Sequence, residues 1–473
     1  MPRVWRQRWI IRLSMRHTRL QSSIWRTLAS GPWGPAPTPP RCEPRWEDLC
    51  RSRANRLRGW SKRWREMPTR ASWRRRGRAS SGFVIGGAHP AAVGADWLTS
   101  AWDQNAGLFV LSPAAAIVEE TVLEWLTGLF GLPAGTGIGF VTGGQMANTT
   151  CLAAARQAVL ARVGWDVAAK GLRGAPRVAV IVGEETHITV YGALRLLGLG
   201  DASTTAVACD GQGRMLPDAL REALAMVNGT PAIVCAQAGN VNTGSFDPLD
   251  RVAHLVDEHE NCWLHVDGAF GLWAAASPRF RHHLAGVEGA DSWATDAHKW
   301  LNVPYDSGLA LVRDRQAHRA AMARSASYLQ PSTTDRDNTD WTPEFSRRAR
   351  GFSVYAAIRS LGRAGIADLV DRCCEHARLF AQLLPAAPGV RVINEVVLNQ
   401  VLVRFERPGQ TPEEDDRWTR EVIARVQREG VCWLSGTVWH GRALMRISVC
   451  NWRTTADDVR RSAAAILSAH QRG

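Results

Sequence analysis

The stretch DSWATDAHKW occupies residues 291–300, and it follows WLHVDGAF at residues 263–270. In the earlier block a short apolar run, typical of a buried strand, delivers Asp267 at its carboxyl end. Open α/β sheets place ligands at that edge, although an aspartate at a strand end is more often a cap or turn residue. Thirty-two residues later, Lys299 lies between a short strand and Trp300. A lysine beside a tryptophan usually just extends over an apolar surface.

The combination of Asp267 with Lys299 indicates a specific chemistry. A carboxylate can keep a pyridine nitrogen protonated, and a lysine can form a Schiff base with an aldehyde. Pyridoxal-phosphate (PLP) chemistry requires both groups. The sequence therefore predicts that Lys299 holds PLP as an imine and that Asp267 contacts the pyridine nitrogen.

Glycines mark a candidate phosphate site in GFVTGGQMANTT, at residues 139–150. A strand ends there, glycines let the backbone approach closely, and a helix begins near Gly144. Free amides and the positive end of the helix dipole would hold a phosphate, with Thr142 and Gln145 as further donors. An ordinary glycine turn before a helix is the alternative. The nearby GTGIG precedes the strand instead of following it, so it is not a dinucleotide-binding fingerprint.

A third block, ETHITV at residues 185–190, places His187 just after another predicted strand. An isolated histidine is most often structural. With the aspartate and the lysine in place, an imidazole lying flat on the pyridine ring is the better use of it. The small side chain of Ala269 would let the opposite face of the ring pack closely.

The positive charge of the chain is concentrated at its beginning. Residues 1–80 contain 20 Arg, one Lys and four acidic residues, which gives this segment a net charge of +17. The whole chain has a formal net charge of +14, so the remaining residues together carry −3. This Trp- and Arg-rich segment shows no helical or strand period and no signal peptide, which predicts disorder or out-of-frame translation. A transit peptide or a nucleic-acid arm is the alternative, but the slightly acidic remainder does not favour a nucleic-acid partner.

The ten cysteines form neither a CxxC pair nor a zinc-ligand spacing. This predicts free thiols in a reducing compartment and no metal site. No apolar run reaches the roughly 20 residues needed to span a bilayer. The sequence therefore predicts a cytoplasmic protein without a membrane partner.

Helical and strand-like segments alternate from about residue 83, a pattern that favours an α/β domain with a mainly parallel sheet. We predict three parts: the basic segment at residues 1–80, a PLP-binding large domain at residues 81–362, and a small domain at residues 363–473. The polar, proline-containing stretch at residues 330–343 is predicted to be a mobile loop.

These blocks, in this order, resemble the group II PLP-dependent decarboxylases, which include aromatic-amino-acid, glutamate and sulfinoalanine decarboxylases. The resemblance runs from about Gly82 to Ile466, and HVDxA and DAHKW are its most specific parts. It implies the aspartate-aminotransferase type of fold (fold type I), with a mainly parallel seven-stranded sheet and a smaller C-terminal α/β domain. It also implies a homodimer that decarboxylates an L-amino acid to the amine and carbon dioxide.

The resemblance extends to individual residues. It implies Lys299 as the imine lysine, Asp267 as the partner of the pyridine nitrogen and His187 as the stacking residue. It also implies a cofactor-contacting loop, AGNVNTG, at residues 238–244. The complete predicted cofactor-binding set is Thr142, Gly144, Gln145, His187, Asn242, Asp267, Ala269, His298 and Lys299.

Two segments bear on the substrate. LMRISVCN, at residues 444–451, resembles the segment whose arginine binds the substrate carboxylate in glutamate-type members, and Arg446 occupies that place. The alternative for Arg446 is a surface salt bridge. AWDQNAGLF, at residues 101–109, resembles a segment that reaches the neighbouring subunit's site, and Asn105 has a counterpart in glutamate and sulfinoalanine decarboxylases. A polar or acidic amino acid is therefore favoured over an aromatic one.

The chain departs from the aromatic decarboxylases where a loop tyrosine is implicated in returning a proton to Cα. Our alignment of that loop places Asn338 at the tyrosine position, and Tyr328 lies ten residues earlier. His187 or Lys299 could supply the proton instead. Slow protonation would favour aldehyde-forming oxidative decarboxylation or transamination. These two reactions are alternatives to simple decarboxylation, as are carbon–carbon lysis and an inactive relative with a defective N-terminus.

Overall fold

A computed structural model describes residues 79–202, 204–327 and 335–472, so nearly all of the basic segment lies outside the described residues. The α-helices are α1 Pro90–Trp102, α2 Pro113–Phe130, α3 Gly144–Arg162, α4 Val167–Lys170, α5 Ile188–Leu196, α6 Pro217–Met226, α7 Leu249–Asp257, α8 Arg315–Met322, α9 Gly351–Leu383, α10 Pro412–Glu429 and α11 Ala456–Gln471. The strands are β1 Gly137–Val141, β2 Ala179–Gly183, β3 Thr204–Val207, β4 Ala232–Gln237, β5 Cys262–Asp267, β6 Ser292–Asp296, β7 Gly308–Val312, β8 Val390–Val392, β9 Gln400–Phe405, β10 Ser435–Trp439 and β11 Arg442–Ser448.

Seven strands form the larger sheet, in the order β1-β7-β6-β5-β4-β2-β3. The pairs among β6, β5, β4, β2 and β3 are parallel, whereas β7 runs antiparallel to both of its neighbours. Six of the seven strands consequently point the same way, and their carboxyl ends lie along one edge.

The central strands are buried on both faces, which explains their nearly continuous apolar sequences. In β2, Ile181 belongs to one apolar cluster, and its neighbours Val180 and Val182 belong to the other. Helix α3 packs across β1, β5, β6 and β7. Because α3 begins directly after β1, its amino end is held at the edge where the strands end.

The smaller sheet is antiparallel, in the order β10-β11-β9-β8, and it packs against α9 and α10. Helix α9 is interrupted at Gly362, where φ is 64° and ψ is 177°. Glycine adopts this left-handed backbone region without the steric penalty of a Cβ. The break coincides with the predicted domain boundary at residues 362 and 363, and the three-part division stays a prediction.

The expectation of a mobile loop at residues 330–343 was wrong for its described part. Arg336 and Asn338 are buried, and the Asn338 side chain accepts a hydrogen bond from Arg336 Nε at 2.7 Å and donates to the Ala106 carbonyl at 3.0 Å. The buried Glu119 carboxylate lies 3.9 Å from Arg336 Nη2 and accepts two hydrogen bonds of 2.6 Å from Arg347. Buried charges have to be paired, so this network fixes the segment.

Asn338 does not act as a catalytic acid in place of the loop tyrosine, because both ends of its amide are hydrogen-bonded in the core. Tyr328 lies outside the described residues. In the described part of the chain, no helix combines the length and apolarity needed to cross a membrane.

Candidate active site

The site residues follow the strand ends of the larger sheet. The glycine turn follows β1, His187 follows β2, and the loop with Asn242 follows β4. Asp267 ends β5, and Lys299 follows β6 by three residues. Parallel strands thus carry residues that are far apart in sequence to the same edge of the sheet.

Lys299 forms an ion pair with Asp296, the last residue of β6, with Nζ and Oδ2 2.9 Å apart. Burial lowers the pKa of the Lys299 ammonium, but the charge and hydrogen bond of Asp296 outweigh it, so its pKa lies above the ordinary value. Oδ1 of Asp296 has no hydrogen-bond partner among the described residues. Nε2 of His298 lies 3.4 Å from this oxygen, so the Asp296 carboxylate lies between His298 and the predicted imine lysine.

The turn between β1 and α3 requires glycine for steric reasons. A Cβ on Gly144 would come within 2.7 Å of Asp296 Oδ2, and one on Gly143 within 3.1 Å of His298 Cε1. No side chain caps the amino end of α3. The first amides of the helix therefore remain available for an anion.

Asp267 is buried and its carboxylate is hydrogen-bonded on both oxygens. Asn148 Nδ2 donates to Oδ2 at 3.0 Å, and the main-chain amide of Ala269 donates to Oδ1 at 3.1 Å. Hydrogen bonds to a carboxylate favour its ionised form. These two hydrogen bonds fix the carboxylate at the position predicted for the pyridine-nitrogen partner.

His187 caps α5 and takes part in the same electrostatic environment. Its Nδ1 accepts a hydrogen bond from the amide of Thr189 at 3.3 Å. Burial lowers the pKa of the imidazole; Asp267 opposes this shift, while Lys299 and Arg446 reinforce it. A neutral ring is suited to lie against an aromatic cofactor.

Arg446, on β11, is largely buried without a carboxylate partner among the described residues. Its Nη1 lies 3.5 Å from the Val241 carbonyl, its guanidinium lies 5.7 Å from the centre of the Phe83 ring, and its Nε has no acceptor in the described part. Burial lowers its pKa. An unpaired buried cation is costly, which argues against a simple surface salt bridge and for an anionic ligand.

Two further predicted residues, Asn242 and His298, have clear structural surroundings. Asn242 Oδ1 accepts a hydrogen bond from Thr437 Oγ1 at 2.9 Å, which ties its loop to β10 beside Arg446. His298 accepts from the Ser307 amide at 3.1 Å through Nδ1 and lies against the Tyr305 ring at a centroid distance of 4.2 Å.

Asn105 is not placed beside Lys299. Its Oδ1 accepts from the amides of Gly107 and Arg347 at 3.0 and 3.2 Å, and its Nδ2 donates to Ser346 Oγ at 3.3 Å. The amide thus joins two segments of its own subunit. Its predicted contact with a substrate across a dimer stays a prediction.

The residues fit PLP. The free amides of α3 suit the phosphate, the hydrogen-bonded Asp267 suits the pyridine nitrogen, and Lys299 suits the aldehyde. Thr142 and the exposed Gln145 flank the glycines at the start of α3.

Sequence reasoning missed Asp296 and Asn148, which contact Lys299 and Asp267 directly. Asp296 lies three residues before Lys299 within the quoted motif. Asn148 had a weaker signal, namely an amide side chain one turn into the helix that follows the glycine turn.

Comparison with protein families gives one match, to the model described as the pyridoxal-dependent decarboxylase conserved domain, over residues 83–406. The chain is 32% identical over 382 residues to an L-2,4-diaminobutyrate decarboxylase of Rhizobium meliloti (strain 1021), which covers 79% of this chain and 74% of that protein. It is 30% identical over 309 residues to the acidic amino acid decarboxylase GADL1 of Bos taurus, covering 64% of this chain and 58% of that protein.

Among solved structures, the chain resembles Oryza sativa TDC with PLP and tryptamine, with a TM-score of 0.79, 24% identity and 98% of each chain covered. This likeness confirms the predicted fold class. The three similar proteins differ in the substrates or ligands that their names give, so similarity alone leaves the substrate open.

Proposed function

The chain belongs to the family of pyridoxal-dependent decarboxylases, and we propose that its substrate is an L-amino acid with an acidic side chain. It is a PLP-dependent carboxy-lyase, which releases the carboxylate of an amino acid as carbon dioxide. The family relationship favours this reaction over transamination, aldehyde formation or carbon–carbon lysis.

The substrate proposal rests on the burial of Arg446 and on the partners of its guanidinium. This arginine is buried and lacks a carboxylate partner among the described residues. Binding the carboxylate that leaves would stabilise the ground state more than the transition state, because that charge is lost during the reaction. Arg446 therefore contributes most by binding a carboxylate that stays on the substrate, namely one on its side chain.

The other residues have complementary roles in this proposal. Bound PLP supplies the electron sink for cleavage of the bond to the carboxylate. The amides around Gly144 hold the phosphate, and Asp267 keeps a negative charge at the pyridine nitrogen. His187 covers one face of the ring and restricts its tilt. Lys299 would hold the cofactor through its Nζ, which lies 2.9 Å from Asp296 Oδ2.

Lys299 is also our candidate for returning the proton to Cα. Its pairing with Asp296 raises its pKa, so the free ammonium retains a proton at neutral pH. Burial lowers the pKa of His187, which leaves that ring neutral and a poorer acid. These opposite shifts favour Lys299 over His187.

Replacing Arg446 tests the substrate proposal. We expect Arg446→Met to lower kcat/KM for the acidic substrate about 10- to 100-fold, since a hydrogen-bonded charge pair is lost. Carbon dioxide release should be measured for aspartate, glutamate, cysteine sulfinate, 2,4-diaminobutyrate, tyrosine and tryptophan.

Arg442→Met is the matched control, because Arg442 is exposed on the same strand and should leave kcat/KM unchanged. A wild-type preference for 2,4-diaminobutyrate or for tryptophan would contradict the acidic substrate. Equal kcat/KM values in Arg446→Met and wild type would contradict the role of Arg446.

We also propose that two copies of the chain form a homodimer through the exposed apolar side chains between Trp97 and Ile117. Trp97 is 68% exposed and Val110 is 73% exposed. The same stretch also exposes Leu98, Trp102 and Leu111. Exposed apolar residues of this density are typical of an interaction surface. The stretch includes Asn105, whose counterparts reach the neighbouring site in the resembling family.

A charge in this stretch should weaken the dimer without harming the fold. We expect Val110→Asp to raise the dimer dissociation constant about tenfold or more, because a carboxylate would be buried without a partner. Sedimentation velocity over a concentration series measures the change. Val438→Asp, at a position 62% exposed on β10, is the control. A monomeric wild type, or equal dissociation constants for both variants, would contradict this surface.

A cytoplasmic location completes the proposal. The eight cysteines of the described part are all free, and seven of them are buried. Free thiols suit a reducing compartment. We retain residues 81–362 and 363–473 as the proposed large and small domains.

A further inference from the structure

Asn148 lies at the centre of a buried hydrogen-bond network beneath the proposed cofactor site. Its side chain is fully buried on α3, and its Nδ2 donates to Asp267 Oδ2 at 3.0 Å. Its Oδ1 lies 2.9 Å from Nε2 of His265, on β5. His265 Nδ1 in turn lies 2.9 Å from Ser292 Oγ, on β6.

The chemistry of the groups fixes the direction of every bond in this chain. An ionised carboxylate can only accept, so Asn148 must turn its NH₂ towards Asp267 and its oxygen towards His265. That oxygen needs a donor, which places the His265 proton on Nε2. Nδ1 is then an acceptor for the hydroxyl of Ser292. The Ser292 oxygen accepts from Trp263 Nε1 at 2.9 Å.

The protonation state of His265 agrees with this direction. Burial lowers its pKa to about 4, so the ring is neutral at physiological pH and carries one proton. All donors in this hydrogen-bond network thus point towards Asp267, from Trp263 through Ser292, His265 and Asn148. Aligned hydrogen bonds polarise one another in a low-dielectric interior, which strengthens the last bond of the chain.

The second proton of the Asn148 amide points to another group of the site. Nδ2 also lies 3.3 Å from Thr189 Oγ1, which lies 2.8 Å from His187 Nδ1. Because Nδ1 of His187 accepts a hydrogen bond from the Thr189 amide, the proton of the neutral His187 ring must be on Nε2. One amide group thereby connects the partner of the pyridine nitrogen with the residue that covers the ring.

We propose that Asn148 is a positioning residue that orients the Asp267 carboxylate and, through Thr189, sets the orientation and tautomer of His187. This inference rests on the proposed roles of Asp267 and His187. Asn148 does not touch the reacting atoms. It acts through its hydrogen bonds, 3.0 Å long to Asp267 Oδ2 and 3.3 Å long to Thr189 Oγ1.

Several titratable groups lie near Asp267 and interact with its charge. The groups with an electrostatic interaction with Asp267 are His187, His265, Lys299, Cys151 and Cys235. Burial raises the pKa of both thiols, so they stay neutral. The pKa of Lys299 is also raised and that of His265 is about 4.

The test measures PLP binding to the cofactor-free protein as a function of pH. We expect Asn148→Leu to weaken PLP binding about tenfold at pH 7.5, since one hydrogen bond to a charged group is lost. The pH profile of PLP binding should also change, because the variant cannot donate the hydrogen bond that Asn148 gives to the Asp267 carboxylate. Asn148→Asp, of nearly the same size, is the second variant, and its two adjoining carboxylates should share a proton and weaken binding further.

Thr150→Val is the matched control. Thr150 is buried on the same helix, but its hydroxyl donates at 2.8 Å to the Met146 carbonyl of that helix. We expect this variant to change thermal stability without moving the pH profile of PLP binding. In the wild-type protein without cofactor, ¹⁵N spectra should show the His265 proton on Nε2.

A His265 proton on Nδ1 would overturn the proposal. So would Asn148 variants that both have the PLP affinity and the pH profile of Thr150→Val. Asp267→Asn separates this proposal from the function on which it rests. If Asp267→Asn abolishes activity while the Asn148 variants behave like the control, Asn148 has no positioning role; if Asp267→Asn is harmless, the proposed role of Asp267 fails.

Discussion

Lys299→Ala should lower kcat for carbon dioxide release by roughly 10³-fold or more, because it removes the covalent anchor and the proposed proton donor together. The variant should also lose the imine absorbance at roughly 420 nm that is expected of PLP bound to a lysine. Reduction with borohydride followed by peptide mapping measures the covalent link directly.

The composition of the chain makes the mapping experiment unusually clear. The sequence contains three lysines, Lys62, Lys170 and Lys299, so few positions can carry a reduced cofactor. Lys170→Ala is the control, because Lys170 is exposed and its Nζ lies 5.1 Å from the centre of the Trp165 ring. Labelled peptide from any lysine other than Lys299, or an unchanged spectrum in Lys299→Ala, would disprove the central assignment.

Asp267→Asn is the substitution with the second largest expected effect. The amide has nearly the shape of the carboxylate but carries no charge, so it cannot stabilise a protonated pyridine nitrogen. We expect kcat to fall about 10²- to 10³-fold, the range found when one preorganised electrostatic group is removed. Steady-state kinetics at saturating PLP separate this loss from weaker cofactor binding.

Asp247→Asn is the matched control for Asp267→Asn. Asp247 is also a buried carboxyl, and it accepts hydrogen bonds from the Met215 and Gln237 amides at 2.8 and 2.7 Å. Burial raises its pKa to about 6. Its replacement should alter stability while leaving kcat near that of wild type. Similar kcat values in both variants would mean that Asp267 acts through the fold and not through its charge.

Much of the fold could be predicted because its signals are local and repeated. Apolar runs such as those of β2 and β4 bury both faces of a strand, and such strands belong in a parallel sheet covered by helices. The motif around Lys299 added the family and, with it, the fold type. The loop prediction for residues 330–343 was wrong in its described part because Arg336 is buried there and paired with Glu119, more than 200 positions away in the sequence.

Polar side chains are ambiguous in a sequence for the same reason. Asn105 was predicted to bind the substrate, but its Oδ1 accepts hydrogen bonds from the Gly107 and Arg347 amides. Asn148 and Asp296 attracted no attention, although they hold Asp267 and Lys299. A hydrogen bond depends on a few tenths of an ångström and on angles, and neither follows from residue order.

The sequence by itself determined the strand pattern and the family and led to the proposed roles of Lys299 and Asp267, because these depend on residue type, spacing and short motifs. The tertiary structure decided which charges are paired. It left Arg446 without a carboxylate among the described residues, gave Lys299 a partner in Asp296, and joined Asp267 to His187 through Asn148. Burial and pairing arise only when distant segments come together, and they set the charge states on which this chemistry depends.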